Sequence, residues 1–234
     1  MATSGQQATG GLHGPLTAHA APFLLWLAVL YAGGDPLVNY ALRCAVASAA
    51  LLILRPWRWY GPPRLRGMPA AVLVGAIVAA VWVLPESAWL QRLWPGAARA
   101  YLRFAVLGTP DNAAAADFAP GLAGWPAAGL RLVGSVLVVG VIEEFFWRGL
   151  ASRRLTAVRF VEQDPARLGA GAVLLASVAF GFEHARWLVG TLAGLAYAGL
   201  YMRTRDVWCA VVAHAVTNAL LGAYVLASGQ YGFW

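Results

Sequence analysis

Residues 126–150 read PAAGLRLVGSVLVVGVIEEFFWRGL, an apolar segment that carries two adjacent carboxylates, Glu143 and Glu144, with Arg148 shortly after them. A helix needs about 20 mostly apolar residues to cross the hydrocarbon core of a bilayer, and this segment is long enough. A charge at the centre of such a helix costs about 2.5–3.5 kcal/mol on insertion scales, so ionisable residues inside one are functional candidates by default.

The rest of the chain has the same character. It is 234 residues long, 60% hydrophobic and only 12% charged, with a mean hydropathy of +0.64. A soluble domain is nearer 45–50% apolar and about 25% charged, so lipid must be the outer solvent. Besides 126–150, apolar runs cover 16–33, 37–54, 68–84, 168–182, 187–202 and 207–227. These runs predict an all-α fold: a polytopic transmembrane helical bundle of about seven spans plus an interfacial helix. Gly190, Gly194 and Ala198, spaced four apart, suit close helix contacts in lipid. Residues 1–15 read as a mobile tail and 16–234 as a single transmembrane domain, with the motif-bearing core at 126–228. Between 86 and 125, Trp89, Leu90, Leu93, Trp94 and Ala97 recur at near-helical spacing and predict one interfacial amphipathic helix. Residues 113–116 and the Gly/Pro positions after them read as a connector.

The net charge is +7 and every basic residue is Arg. No nucleic-acid reader motif is present, and the arginines flank the apolar runs, which suits anionic headgroups. Arg55, Arg58, Arg64 and Arg66 follow the second run, Arg153, Arg154, Arg159 and Arg167 the fourth, and Arg203 and Arg205 the sixth. The opposite connections hold Arg92, Arg99, Arg103 and Arg186. The positive-inside rule then places the N-terminus in the cytoplasm and 231–234 outside, with its aromatics at the interface. Cys44 and Cys209 have no metal or redox spacing and read as small buried hydrophobes.

Glu144 and Arg148 are four apart and pair on one helix face. Glu143 points about 100° away and lacks that partner, which suits it to general-base work. The fifth run ends Phe180-Gly181-Phe182-Glu183-His184, and the seventh holds His214 and Asn218 on one face. Depth provides a check. Glu143 and His184 reach one level only if the fourth helix continues past Arg148 to about residue 158 and the fifth starts near 168, at 1.5 Å per residue. The Arg153/Arg154 stretch should therefore be helical and project from the bilayer.

Glu143-Glu144-x-x-x-Arg148, Phe180-x-x-x-His184 and His214-x-x-x-Asn218, in that order on separate apolar segments, resemble the motifs of the CAAX-processing and bacteriocin-processing (CPBP) family of glutamic-type intramembrane endopeptidases, which includes type II CAAX prenyl endopeptidases. The finer wording, Phe146-Trp147-Arg148, the stretch Gly181 to Trp187 and the aromatic end Gly232-Phe233-Trp234, resembles a bacterial branch associated with exosortase and PEP-CTERM sorting. The resemblance implies that Glu143 activates water with help from His184, that His214 and Asn218 hold the oxyanion, and that Glu144, Arg148 and Phe180 support them. It implies a membrane polypeptide as substrate and a place in the inner membrane. No cofactor is expected. The alternative is zinc on Glu143, His184 and His214, although no His-Glu-x-x-His motif is present. The competing function is a non-catalytic membrane scaffold, chaperone or immunity-type protein that keeps the polar cluster for packing. A proton-relaying transporter would show a repeat or a pair of broken helices, and the sequence has no repeat.

Overall fold

The computed structural model describes residues 14–108 and 116–234. The tail expected at 1–15 lies outside the described residues up to position 13, and the connector expected at 113–116 up to position 115. Among the described residues every regular element is helical: α1 Pro15–Tyr31, α2 Pro36–Leu54, α3 Met68–Val83, α4 Ala88–Leu93, α5 Pro95–Phe104, α6 Pro120–Thr156, α7 Ala170–Phe182, α8 Trp187–Thr204 and α9 Val207–Ser228, joined by short 3-10 turns. Proline opens α1, α2, α5 and α6, where its missing N–H costs nothing. Asp35 and Asp206 cap α2 and α9 by accepting from Val38 N and Trp208 N, and α9 stops at left-handed Gly229.

The seven apolar runs correspond to α1–α3 and α6–α9. Four helical stretches, Pro36–Leu54, Leu65–Glu86, Pro120–Thr156 and Val207–Ser228, are long and apolar enough to cross a bilayer. The helix α7 is not: at 1.5 Å per residue it extends about 20 Å, short of the roughly 30 Å hydrocarbon core. The turn that follows α7 carries His184, half-buried, and the buried Arg186.

Helix α6 is the spine of the molecule. It bends at Gly124, whose φ of 80° interrupts the helix. It then widens into π-helical turns at Ser135–Val139 and Phe145–Ala151, on either side of the α-helical Gly140–Glu144 that carries the carboxylates. Single π turns are rare and concentrate at functional sites. The helix continues past Arg148 to Thr156, as the depth argument requires, and α7 begins at Ala170. Glu143 and His184 therefore each lie about 20 Å along their helices from this shared end. Of the two arginines in its last turn, Arg154 is exposed, and Arg153 is buried and donates to the carbonyls of Val161 and Gln163.

Helix α7 packs along α8, and α3 along α9. The first crossing uses the small residues as expected: a Cβ on Gly190 would lie 3.0 Å from Gly181 Cα, and one on Gly194 3.0 Å from Ser177 Cα. The single interfacial helix expected between 86 and 125 is instead two, α4 and α5. Trp94 leaves helical geometry ahead of Pro95, which cannot donate the next backbone bond. Trp89, Leu93 and Trp94 are exposed, as interface-seeking residues would be.

Candidate active site

Glu144 is fully buried, and one of its oxygens, Oε1, accepts two bonds. Arg148 Nη1 donates to it at 3.0 Å and His214 Nδ1 at 2.9 Å. The first is the expected pairing of neighbours four apart. The second joins residues 70 positions apart and gives His214 a fixed orientation. Arg148 is held further by Nη2 donating to Gly194 O at 3.0 Å and by the rings of Phe180 and Tyr197, over which its guanidinium lies at 4.6 and 5.3 Å. Tyr197 also stacks on His214, ring centres 5.1 Å apart, and donates its hydroxyl to Thr217. The imidazole of His214 is thus clamped on its edge by a carboxylate and on its face by a phenol ring.

Glu143 is buried, and its Oε2 has no hydrogen-bond partner; the nearest imidazole nitrogen, His214 Nε2, is 3.9 Å away, too far for a direct bond. Arg148, Glu144, His214 and Glu143 therefore form a row of alternating cation, anion, imidazole and carboxyl. His184 follows α7 and directs Nδ1 at the Phe180 carbonyl, 3.0 Å away. A carbonyl only accepts, so Nδ1 carries the proton and Nε2 keeps its lone pair. The same reasoning applies to His214: with Nδ1–H committed to Glu144, Nε2 donates only as the imidazolium. Phe180 touches the whole cluster, its ring 5.0 Å from His184 and 5.9 Å from His214. Its place in the Phe-x-x-x-His spacing has two causes, the carbonyl one turn back that fixes the tautomer and the ring that packs both imidazoles.

Asn218 Nδ2 donates to Ser135 O at 2.8 Å. That carbonyl sits in the first π turn, where it also receives Gly140 N–H. The carbonyl partner fixes which end of the amide faces it, and the second N–H of Asn218 remains available. His184, His214 and Asn218 line one cavity of about 430 Å³. All four residues expected to be catalytic are thus on α6, at the end of α7 and on α9, with Glu143 joined to the cavity through His214.

Sequence reasoning gave no role to several residues that shape this site. Glu183 lines the cavity and accepts from Trp147 Nε1 at 2.9 Å. Arg186, counted only as a loop charge, is buried; it donates Nε and Nη2 to the two oxygens of Glu86 at 2.5 and 2.8 Å, and Nη1 to Gly232 O at 2.6 Å. It thereby ties the end of α3 and the C-terminal turn to the segment that follows His184. Phe233 lies over its guanidinium and Trp234 lines the cavity. Two of the aromatics expected at the membrane interface, Phe233 and Trp234, thus also line the cavity. The spacing of Tyr197 offered no signal, since a tyrosine in an apolar run reads as packing.

The zinc alternative needs Glu143, His184 and His214 about one point. Among the described residues no three His, Cys, Asp or Glu side chains are grouped to hold a metal ion. The Nδ1 atoms of both histidines are engaged, which leaves Nε2 of each as the atom open to a ligand.

Comparison with known proteins gives one family. Residues 125–220 match the family model for the Rce1-like type II CAAX prenyl endopeptidases. No curated protein and no solved structure matches the chain.

Proposed function

We propose, from the match of residues 125–220 to that CAAX-protease family model, that the chain is a glutamic-type intramembrane endopeptidase that hydrolyses a peptide bond in a membrane-tethered or C-terminally processed polypeptide. The observation that carries this reading is the buried, unpartnered Glu143 Oε2 beside an imidazole that Glu144 and Tyr197 hold in place. Water attacks the scissile carbonyl carbon as its proton passes to Glu143, with the Nε2 lone pair of His184 orienting it. The negative charge that develops on the carbonyl oxygen is met by the free N–H of Asn218 and by Nε2–H of the His214 imidazolium, whose Nδ1–H Glu144 holds. The C–N bond then breaks, and the proton on Glu143 moves to the departing amine. The direct test compares the C-termini of membrane proteins in cells carrying the wild-type chain with those in cells carrying Glu143→Gln. Identical sets would leave only the scaffold reading.

This mechanism needs no metal. Purified active protein should hold no stoichiometric zinc and should keep its activity after exhaustive chelation. Zinc that is lost together with activity, and restores it on return, would promote Glu143, His184 and His214 to ligands after a rearrangement.

We further propose an inner-membrane protein of about seven spans, with the arginine distribution supporting a cytoplasmic N-terminus. An Arg159→Cys variant should then react with an impermeant thiol reagent only from the cytoplasmic side. Labelling from outside would invert the topology. The exosortase-linked branch rests on the wording around Phe146–Arg148, Gly181–Trp187 and Gly232–Trp234; an exosortase gene beside this one would support it.

A further inference from the structure

The turn that carries His184 is fastened to the two short helices α4 and α5. The Ala185 carbonyl accepts from Leu107 N at 2.6 Å, Trp187 Nε1 donates to Phe104 O at 3.0 Å, and Leu188 N donates to Ala105 O at 3.5 Å. All three bonds run to the end of α5 and the residues just after it. The same turn also reaches the residue ahead of α4, because Arg186 holds both carboxylate oxygens of Glu86. The α4–α5 pair is therefore tied at both ends to the four residues that follow His184.

The outer surface of that pair is apolar and basic. The spanning stretch Leu65–Glu86 ends immediately before α4, so α4 and α5 begin at the surface of the bilayer. Trp89, Leu93, Trp94, Leu102 and Phe104 are exposed. Residues 87–107 contain three arginines and no carboxylate. Arg92, Arg99 and Arg103 are exposed, and among the described residues none of them forms an ion pair. On α5, Ala98 is buried and Tyr101 packs on the core, while Arg99 and Arg103, four apart, share another face. Aromatic and aliphatic side chains beside uncompensated arginines match the headgroup region of an anionic bilayer. The position of the pair against the bilayer favours lipid over an acidic protein.

We propose that α4 and α5 dock on anionic headgroups at the end of α3, and that this docking holds the His184 turn in its catalytic position. The first half stands on charge and exposure. The second rests on the protease reading above, in which His184 orients the attacking water. At 6 and 10 residues, α4 and α5 are too short to be rigid alone. Headgroups that bind their seated arrangement better than any other shift the population toward it, and the bonds to 185–188 pass that restraint to the turn.

The test uses the full chain in nanodiscs of phosphatidylcholine and of an equal mixture with phosphatidylglycerol. Hydrogen exchange in peptides covering Leu107 and Leu188 needs no substrate. It should slow at least fivefold in the mixed bilayer, since each arginine near an anionic surface strengthens association about fivefold. Turnover of a dodecanoylated hexapeptide library, read by mass spectrometry, should rise by a similar factor. The chain's other arginines also meet headgroups, and the triple variant Arg92→Gln, Arg99→Gln, Arg103→Gln separates their effect. It should return both readouts in the mixed bilayer to the phosphatidylcholine values. The corresponding Lys triple should keep the response, because headgroup attraction needs charge and not a guanidinium fork. Salt at 0.5 M should suppress the response in the wild type by screening, which decides the matter if the Gln triple does not fold. Equal exchange in the two bilayers, or a response that survives in the Gln triple or at high salt, overturns the docking. Slower exchange with turnover indifferent to lipid overturns the link to catalysis. Slower exchange without hydrolysis in either bilayer leaves the docking standing and removes the protease reading. Hydrolysis without any lipid response does the reverse.

Discussion

Glu143→Gln is expected to abolish hydrolysis in a protein that still folds, whereas Glu144→Gln is expected to lose stability along with activity. The amide at 143 keeps the size of the side chain and breaks no hydrogen bond, because Glu143 Oε2 has none to break. What disappears is the proton acceptor. At 144 the same change acts on a carboxylate oxygen that accepts from both Arg148 and His214. An amide cannot balance the buried guanidinium, and breaking a buried pair by removing one partner typically costs about 3–5 kcal/mol. Arg148 keeps the Gly194 carbonyl and two aromatic faces, which places the loss toward the lower end of that range. The variant also frees His214 to change tautomer. Unfolding midpoints in detergent, read beside single-turnover assays, separate the two effects. Fold-preserving inactivation of equal size by both variants would show that the division of labour between the two carboxylates is wrong.

The pair was readable from the sequence because its geometry is local. Four residues on a helix bring Glu144 and Arg148 to one face whatever the rest of the chain does, and hydrophobic runs mark helices for the same reason. Depth was readable as well, since a fixed rise per residue ties Glu143 and His184 to the shared end of α6 and α7. Contacts across the bundle were not. His214 meets Glu144 across 70 positions, Asn218 meets Ser135 across 83, and Arg186 meets Glu86 across 100; periodicity within one helix carries no information about which face of another it will meet. One local reading also needed correction. Trp94 and Pro95 split what spacing alone joined into one amphipathic helix, because spacing ignores a missing N–H. Nor did spacing show that Trp234 lines the cavity that holds His184 and His214, or that Arg186 holds the Gly232 carbonyl nearby. The π turns of α6 gave no signal in composition, yet the carbonyl of the first one anchors Asn218.

That anchoring gives Asn218→Ala its expected size. The side chain has two N–H donors; one is committed to Ser135 O, and the commitment holds the other in a fixed direction toward the cavity. A donor already aligned costs no reorganisation when charge appears on the carbonyl oxygen, and deleting one such donor elsewhere costs about 2.7–4 kcal/mol of transition-state stabilisation. Turnover should fall roughly 100- to 1000-fold on that basis. Folding should change little, because α9 remains packed on α3 and α6 through residues the substitution does not touch. The Michaelis constant should move far less than the turnover number, since the ground-state carbonyl gains less from the donor than the oxyanion does. Asn218→Asp makes the discrimination sharper. It preserves shape but offers an acceptor to both the Ser135 carbonyl and the developing oxyanion, so it should be at least as damaging as Ala. Measured turnover for Asn218→Ala within a few-fold of wild type would remove this residue from the oxyanion site and leave the His214 imidazolium as the remaining proposed donor.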